Sequence, residues 1–395
     1  MKVLNYDWNG KKVLITGASG FKGSWLAEVL IRMGAIVFGT VRKKRSSDAA
    51  YTILQLDKKL TSFDVDILNQ QQVYDTINDI CPDVIFHLAA RAVVPSAIRD
   101  PKRTFEVNIM GTINILEACR KLRNVSKLII CSTDHVFGNI TANKLPQNGF
   151  AEHTPIYFCG PYDTSKAAME LVVRSYHQTY YNELPSIGIT RCANVFGYGD
   201  TAHRRVIPSF INSAMNLGKI ELTHRYNGRQ FIHITDVVAG YIRAASLIES
   251  GAMPSYTDLA ECELLTPTFH FAIEHYAGTT EPFLRIHKIA SLVANLFKDV
   301  QIVEAPNCRD YALKENPVQA LNCAYTRKSL QWKPVKPFET ALEETRDWYM
   351  ICNQTEQRKR SLMEKNLIEI IENLLCQEKT FHNNIVSLYD SNTLL

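Results

Sequence analysis

The chain of 395 residues lacks any apolar run approaching the roughly 18 residues of a membrane span. Its first residues, MKVLNYDWNGKK, contain no apolar core of a secretory signal. The ten cysteines are scattered and form no C-x-x-C pair. They are expected to be reduced thiols, which points to a soluble cytoplasmic protein. Neither H-x-H nor H-E-x-x-H occurs, and His270 and His275 are five apart, off a common helix face. No metal site is expected. The net charge of +4 is small for this length and does not call for nucleic acid. No internal repeat is visible. What is present is 46% hydrophobic and 21% charged residues, enough for a soluble globular protein with a substantial core.

The most informative stretch is KVLITGASGFKGSWL at 12–26. A short apolar strand pattern leads into Gly17, Gly20 and Gly23, and an apolar helical pattern follows. Strand, glycine turn and helix in that order make a dinucleotide site. Gly17 permits the tight turn. Gly20 lets the backbone approach a pyrophosphate, and Gly23 lets the helix pack on the strand. The helix N-terminus then presents free N–H groups to the phosphates.

Strand patterns recur at 13–16, 36–40, 62–65, 84–88, 127–132 and 186–191, with helical patterns between them, such as 71–80 and 104–122. This alternation predicts an α/β fold with a doubly wound parallel sheet. After Asn194 the pattern becomes irregular. Helices are expected at 233–247, 284–297 and 337–350, and a strand at 268–272. The expected division is a dinucleotide-binding domain at 1–193 with 230–273 and a smaller mixed α/β substrate domain at 194–229 with 274–350. A helical tail occupies 351–395, disordered beyond about Thr380. Met363, Leu367, Ile370, Ile371 and Leu374 recur at helical spacing there. They fit packing on the chain's own body or a partner helix.

Tyr162 and Lys166, in GPYDTSKAAMELVVRSY, are four apart and fall on one helix face. An ammonium near a phenol brings its pKa towards neutrality, so the pair makes a base. An ordinary surface Tyr and Lys would read the same in isolation. Ser132-Thr133-Asp134-His135 follows an apolar strand directly, where ligands of open parallel sheets bind. Thr133 can donate to a sugar oxygen, and Asp134 and His135 could divide acid and base roles. Turn capping is the plain alternative. Asp66-Ile67 follows the third strand, where it could hold adenine. Asn108 lies in a helix facing the sheet. After the second strand, where an acid would hold the ribose of NAD, the chain reads Thr40-Val41-Arg42-Lys43-Lys44-Arg45. Such a loop suits the 2′-phosphate of NADP, with NAD the alternative.

Together these motifs resemble the extended short-chain dehydrogenase/reductase superfamily, with its Rossmann sheet, and within it the CDP-glucose 4,6-dehydratases. The resemblance runs from Trp8 to Tyr349. Its more specific matches are WNGK at 8–11, GFKGSW at 20–25, RCANVFGYGD at 191–200, RRVIP at 204–208 and LNCAYTRKSLQWKP at 321–334. The resemblance implies a cofactor site of Gly17, Ser19, Gly20, Phe21, Lys22, Gly23, Arg42, Asp66, Ile67, Leu88, Ala89, Ala90 and Asn108, with Tyr162 and Lys166. It implies that Tyr162 takes the sugar O4 proton, with its pKa lowered by Lys166, and that Thr133 bonds the same oxygen. Hydride leaves C4 and later returns to C6, and Asp134 protonates the departing C6 hydroxyl. Arg91, Asn194, Arg205 and Arg229 fall on the substrate, Arg229 at the pyrophosphate. A homodimer through the 104–122 and 165–181 helices is implied as well.

Two features depart from that family. The loop GTVRKKRSS is similar to the NADP loop of GDP-mannose 4,6-dehydratases. His135 stands where many sugar 4,6-dehydratases have glutamate and the CDP-glucose type has lysine. Histidine can remove a proton near neutral pH. Dehydration is the expected reaction. Epimerisation or reduction of a nucleotide sugar, or a dinucleotide-binding scaffold without turnover, are the alternatives.

Overall fold

The computed structural model describes residues 1–3, 6–42, 47, 49–138, 140–157, 159–248, 266–305, 316–351 and 355–391, with the side chains of the last helix described to residue 375. Seven strands form one sheet: β1 (Lys12–Thr16), β2 (Ile36–Thr40), β3 (Thr61–Phe63), β4 (Val84–His87), β5 (Lys127–Cys131), β6 (Ser186–Cys192) and β7 (Thr268–Phe271). The order across the sheet is β7-β6-β5-β4-β1-β2-β3, and every pairing is parallel. The order reverses between β1 and β4, which opens a crevice at their carboxyl ends. The central strands β4 and β5 are buried along their whole length. They read as near-continuous apolar runs because both faces of the sheet are covered.

One face is covered by α1 (Phe21–Arg32) and, later in the chain, by a helix at Ile234–Leu247. The other carries α2 (Gln70–Ile80), α3 (Gly111–Leu122) and α4 (Pro161–Thr179). The α2 helix shows the local logic. Asn69 caps it by accepting from Gln72 N at 3.0 Å, and Val73, Thr76, Ile77 and Ile80 bury one stripe at helical spacing.

Three elements differ from the sequence expectation. The third strand ends at Phe63, because only Thr61–Phe63 pairs with β2. The single helix expected at 104–122 is three pieces: Pro101–Phe105, a π-helical turn at Glu106–Met110, and α3. Leu284 and Arg285 leave the helix expected at 284–297 and pair with Arg229 and Gly228.

Among the further helices are α5 (Val206–Leu217), α6 (Ile234–Leu247, the helix beside α1), α7 (Ile286–Ala294), α8 (Phe338–Met350) and α9 (Glu356–Ser391). A two-stranded parallel ladder joins Lys219–Leu222 to Gln301–Glu304. The tail helix α9 packs on α6 and α1 of its own chain, with Met363, Leu367, Ile370 and Leu374 buried. Arg32 reaches Glu364 at 2.7 Å, and Lys336 reaches Glu369 at 2.6 Å. The disorder expected beyond Thr380 falls on residues whose side chains lie outside the described set.

Candidate active site

The turn from β1 into α1 leaves room only for backbone. Gly17 has φ +73°, and a Cβ there would lie 3.1 Å from the Ala89 backbone. A Cβ on Gly23 would lie 2.5 Å from the Gly17 carbonyl. No side chain caps α1, so its positive end stays available to an anion at the crevice. Thr40 Oγ1 accepts from Gly17 N at 2.9 Å and ties the turn to β2. The Leu88-Ala89-Ala90 run is anchored beside it. Ala89 N donates to Thr16 Oγ1 at 3.1 Å, and Thr16 bonds His87 Nδ1 at 2.8 Å. Burial, then the Lys166 charge, lowers His87 to about 3, so its ring is neutral. These residues fit a dinucleotide pyrophosphate.

At the β2–β3 edge, Asp66 faces Arg42 at 3.5 Å and Arg103 at 3.2 Å. Lys43, Lys44, Arg45 and Ser46 of the cationic loop lie outside the described residues. Ile67 occupies the space a Cβ on Gly111 would need. Asn108 sits in the π-helical turn, a feature often found at functional sites. Its Oδ1 accepts from Arg91 N at 2.8 Å, and its Nδ2 donates to Ser165 Oγ at 2.8 Å. It thus joins the loop after β4 to α4.

The structure brings Thr133, Asp134, His135, Tyr162 and Lys166 together. The first three form the turn after β5, and the last two lie in the opening turns of α4. Lys166 Nζ donates to the Cys131 carbonyl at 2.7 Å. Thr133 Oγ1 donates to Asp134 Oδ1 at 3.1 Å. The His135 and Tyr162 rings meet edge-to-face at 5.4 Å. Asp134 is buried, and its Oδ2 has no hydrogen-bond partner among the described residues.

The electrostatics correct one expectation. Burial pushes the Tyr162 phenol up to about 12, opposed by a Thr133 hydrogen bond and then by the charge of Lys22. The cation that most opposes the rise is therefore Lys22, not Lys166. Lys166 points at the Cys131 carbonyl, and its own value falls to about 8 because burial disfavours the ammonium. Lys22 Nζ bonds Cys131 Sγ at 2.9 Å and Tyr241 OH at 3.0 Å. Burial disfavours the Cys131 thiolate, yet Lys22 and Lys166 together carry the thiol below its ordinary value. Asp134 is raised, chiefly by burial, against the pull of His135, Thr133 and Arg229.

The four candidate substrate residues are less uniform. Arg229 is buried, and its charge acts on both Asp134 and His135. Asn194 donates to the Gln230 carbonyl at 3.1 Å. Arg205, at the start of α5, pairs with Asp200 at 3.0 Å. Arg91 turns its guanidinium towards Asp100 at 3.5 Å and Thr104 at 3.3 Å. Sequence reasoning missed Cys131, Asp163, Tyr241, Asn316 and Gln319. Asp163 adjoins Tyr162, and Cys131 ends β5 two residues before Thr133, so both carried a local signal. Tyr241 and Asn316 meet the site only through pairing across more than a hundred residues, and Gln319 comes from the segment that pairs with Gly228. The Asn316 Oδ1 and both side-chain amide atoms of Gln319 are buried without a partner among the described residues. Unpaired buried polar atoms are costly, and a ligand could satisfy them.

Residues 13–256 match the NAD dependent epimerase/dehydratase family. The chain belongs to that family. Among curated relatives, CDP-glucose 4,6-dehydratase of Salmonella typhimurium is 31% identical over 249 residues, 60% of this chain and 67% of that one. Two solved structures share the fold of this family member at 20% identity. UDP-glucose 4-epimerase with UDP-glucose from Thermotoga maritima has a TM-score of 0.72, covering 87% of this chain and 100% of that one. The dTDP-glucose 4,6-dehydratase of Bacillus anthracis in complex with NAD has a TM-score of 0.68, covering 87% and 98%. The family is one of nucleotide-sugar dehydratases and epimerases that use NAD(P). Among the described residues, no helix is long and apolar enough to cross a membrane.

Proposed function

We propose that this family member is a nucleotide-sugar 4,6-dehydratase acting on a CDP-glucose-like substrate. The observation that carries the reading is Asp134, a buried carboxyl with a raised pKa and an unpartnered Oδ2, beside Thr133 and Tyr162. An epimerase needs no acid for a leaving group. A buried carboxyl whose pKa is raised by burial holds its proton more readily than a free one and is suited to giving it to a leaving group.

Tyr162 and Thr133 hold the sugar O4, and Tyr162 takes its proton. The base is the Tyr162 phenolate, which Lys22 favours and which becomes the neutral phenol on taking the proton. A nicotinamide dinucleotide held by the Gly17–Gly23 turn and beside Tyr162 and Lys166 would supply a hydride acceptor for C4 and a hydride donor for C6. The 4-keto group acidifies the C5 proton; His135 removes it and gives a proton back to C5 once hydride has reached C6. Asp134 protonates the C6 hydroxyl, which departs as water. Arg229 offsets the negative charge of the nucleotide. Regeneration within each turnover means that no external reductant is consumed.

Three further elements belong to this proposal. Arg42 in place of an acid after β2 favours NADP over NAD. The scattered thiols fit a cytoplasmic setting. Met110, in the π-helical turn before α3, and Leu171, on α4, are apolar yet about half exposed, which supports a homodimer through the 104–122 and 165–181 segments. The domain division at 1–193 with 230–273 and 194–229 with 274–350 remains part of the same proposal. Mass spectrometry of incubations with CDP-, dTDP-, UDP- and GDP-hexoses tests the reaction. Loss of one water with catalytic NADP is expected. A product of unchanged mass would favour an epimerase, and stoichiometric loss of NADPH a reductase. Either would overturn the dehydratase reading.

A further inference from the structure

His135 is held from behind by a residue the family motif does not mark. Its Nδ1 lies 2.9 Å from Asp163 Oδ1, and the second carboxylate oxygen, Oδ2, accepts from Asn316 Nδ2 at 3.2 Å. Asp163 and Asn316 are both buried, at 4% and 2% exposure. The arrangement follows from the helix. Asp163 directly follows Tyr162 in the first turn of α4, and consecutive helical side chains diverge by roughly 100°. Tyr162 can therefore serve the pocket while Asp163 turns to the imidazole. Asn316 arrives 153 positions later in the chain, from the segment that also pairs with Gly228.

A carboxylate oxygen accepts, so Nδ1 of the neutral ring carries the hydrogen. That leaves the lone pair on Nε2, the nitrogen facing away from Asp163. We infer that Asp163, itself held by Asn316, is a positioning residue that fixes which nitrogen of His135 carries the hydrogen and aims the other at the sugar C5 proton. The inference rests on the 4,6-dehydratase reading for its substrate, though not for its geometry. It accounts for how a histidine serves at a position where relatives of this type carry other side chains.

The groups facing His135 are Asp163 on α4, Asp134 in its own turn, Arg229 on the short strand Gly228–Arg229, and the Tyr162 ring edge-on. Burial lowers the imidazole. The Asp163 hydrogen bond and the charges of Asp163 and Asp134 outweigh it, with Arg229 opposing, and the net direction is upward. A base with a raised pKa is lost as pH falls through that value. Turnover should therefore decline on the acid side at a higher pH than an unperturbed histidine would give. Removing Asp163 should move that limb to lower pH while lowering the plateau. A purely structural defect would lower all pH values alike.

The test uses the full-length, cofactor-loaded protein and Asp163→Asn, with folding checked by circular dichroism. The first readout needs no substrate. The His135 imidazole is followed by ¹H–¹⁵N NMR and assigned by its loss in His135→Gln. In the wild type, Nδ1 should carry the hydrogen of the neutral ring. In Asp163→Asn the titration should shift to lower pH and the tautomers should mix. The second readout is loss of deuterium from CDP-glucose labelled at C5. A positioned base contributes about 10²–10⁴-fold to rate, so losing its orientation should slow washout by about 10- to 100-fold. Asp163→Glu should restore part of the rate, and Asn316→Ala should give a smaller change in the same direction. An unchanged titration and tautomer in Asp163→Asn would overturn the inference, as would a rate loss equal at every pH. If Asp163→Asn does not fold, Asn316→Ala and Asp163→Glu decide by the same criteria. Wild-type protein that releases no deuterium and no water from any nucleotide sugar would sink the dehydratase reading alone, because the NMR result stands by itself.

Discussion

Replacing Glu170 by glutamine should destabilise the protein by about 3 kcal/mol at neutral pH, a figure that follows from one buried ion pair. Glu170 lies one turn beyond Lys166 in α4 and is completely buried. Arg191 on β6, 1% exposed, grips it with two hydrogen bonds of 2.6 and 2.9 Å. Arg191 also bonds the Glu152 carbonyl at 3.1 Å and His270 on β7 at 3.2 Å. The pair therefore joins α4 to two strands and to the segment before α4. Burial raises the Glu170 carboxyl, but the charge and hydrogen bonds of Arg191, helped by Arg174, carry it from 4.5 down to about 2. At 1.36 kcal/mol per pH unit this corresponds to roughly 3 kcal/mol. The range of about 3–5 kcal/mol for breaking a buried pair agrees. The sign is that of a depressed acid. The stabilisation is complete above the unfolded value near 4.5 and is lost as pH falls towards 2. Urea unfolding, followed by fluorescence of the four buried tryptophans, measures the gap between wild type and Glu170→Gln. It should be about 3 kcal/mol at pH 7 and narrow below pH 4.5. A gap under about 1 kcal/mol at pH 7 would refute the reasoning, since that is the worth of an exposed pair.

Arg42→Ala should weaken NADP far more than NAD, because Arg42 stands where an acid would favour the unphosphorylated ribose. Isothermal titration with each cofactor reads this, and equal affinities in the unaltered protein would reject the NADP assignment. Light scattering at micromolar concentration should give a dimer, and Leu171→Glu, on the exposed side of α4, should shift it towards monomer. A wild-type monomer would end that proposal.

The parts of this protein legible in sequence are those in which neighbours in the chain are neighbours in space. The glycine turn is read directly because Gly17, Gly20 and Gly23 act within seven residues. The parallel sheet is read from continuous apolar strands, since burial on both faces imposes that composition locally. Tyr162 and Lys166 share a helix face by periodicity, and Thr133, Asp134 and His135 sit in one turn. Tertiary structure decided what those residues experience. In the broken helix at 101–122, the π-helical turn carries Asn108 to Arg91 and Ser165, contacts that no local propensity encodes. Lys22 opposes the Tyr162 shift more than Lys166 does, because β5 and α6 bring Cys131 and Tyr241 to its ammonium. The partner of His135 is Asp163, 28 positions away, and its brace is Asn316, another 153 beyond. A pKa depends on burial and on charges within a few ångströms, and both come from segments far apart in the chain. The sequence by itself therefore determines the chemical groups and the scaffold. Only the folded chain determines which groups are charged, which are aimed, and which are left without a partner for a ligand to meet.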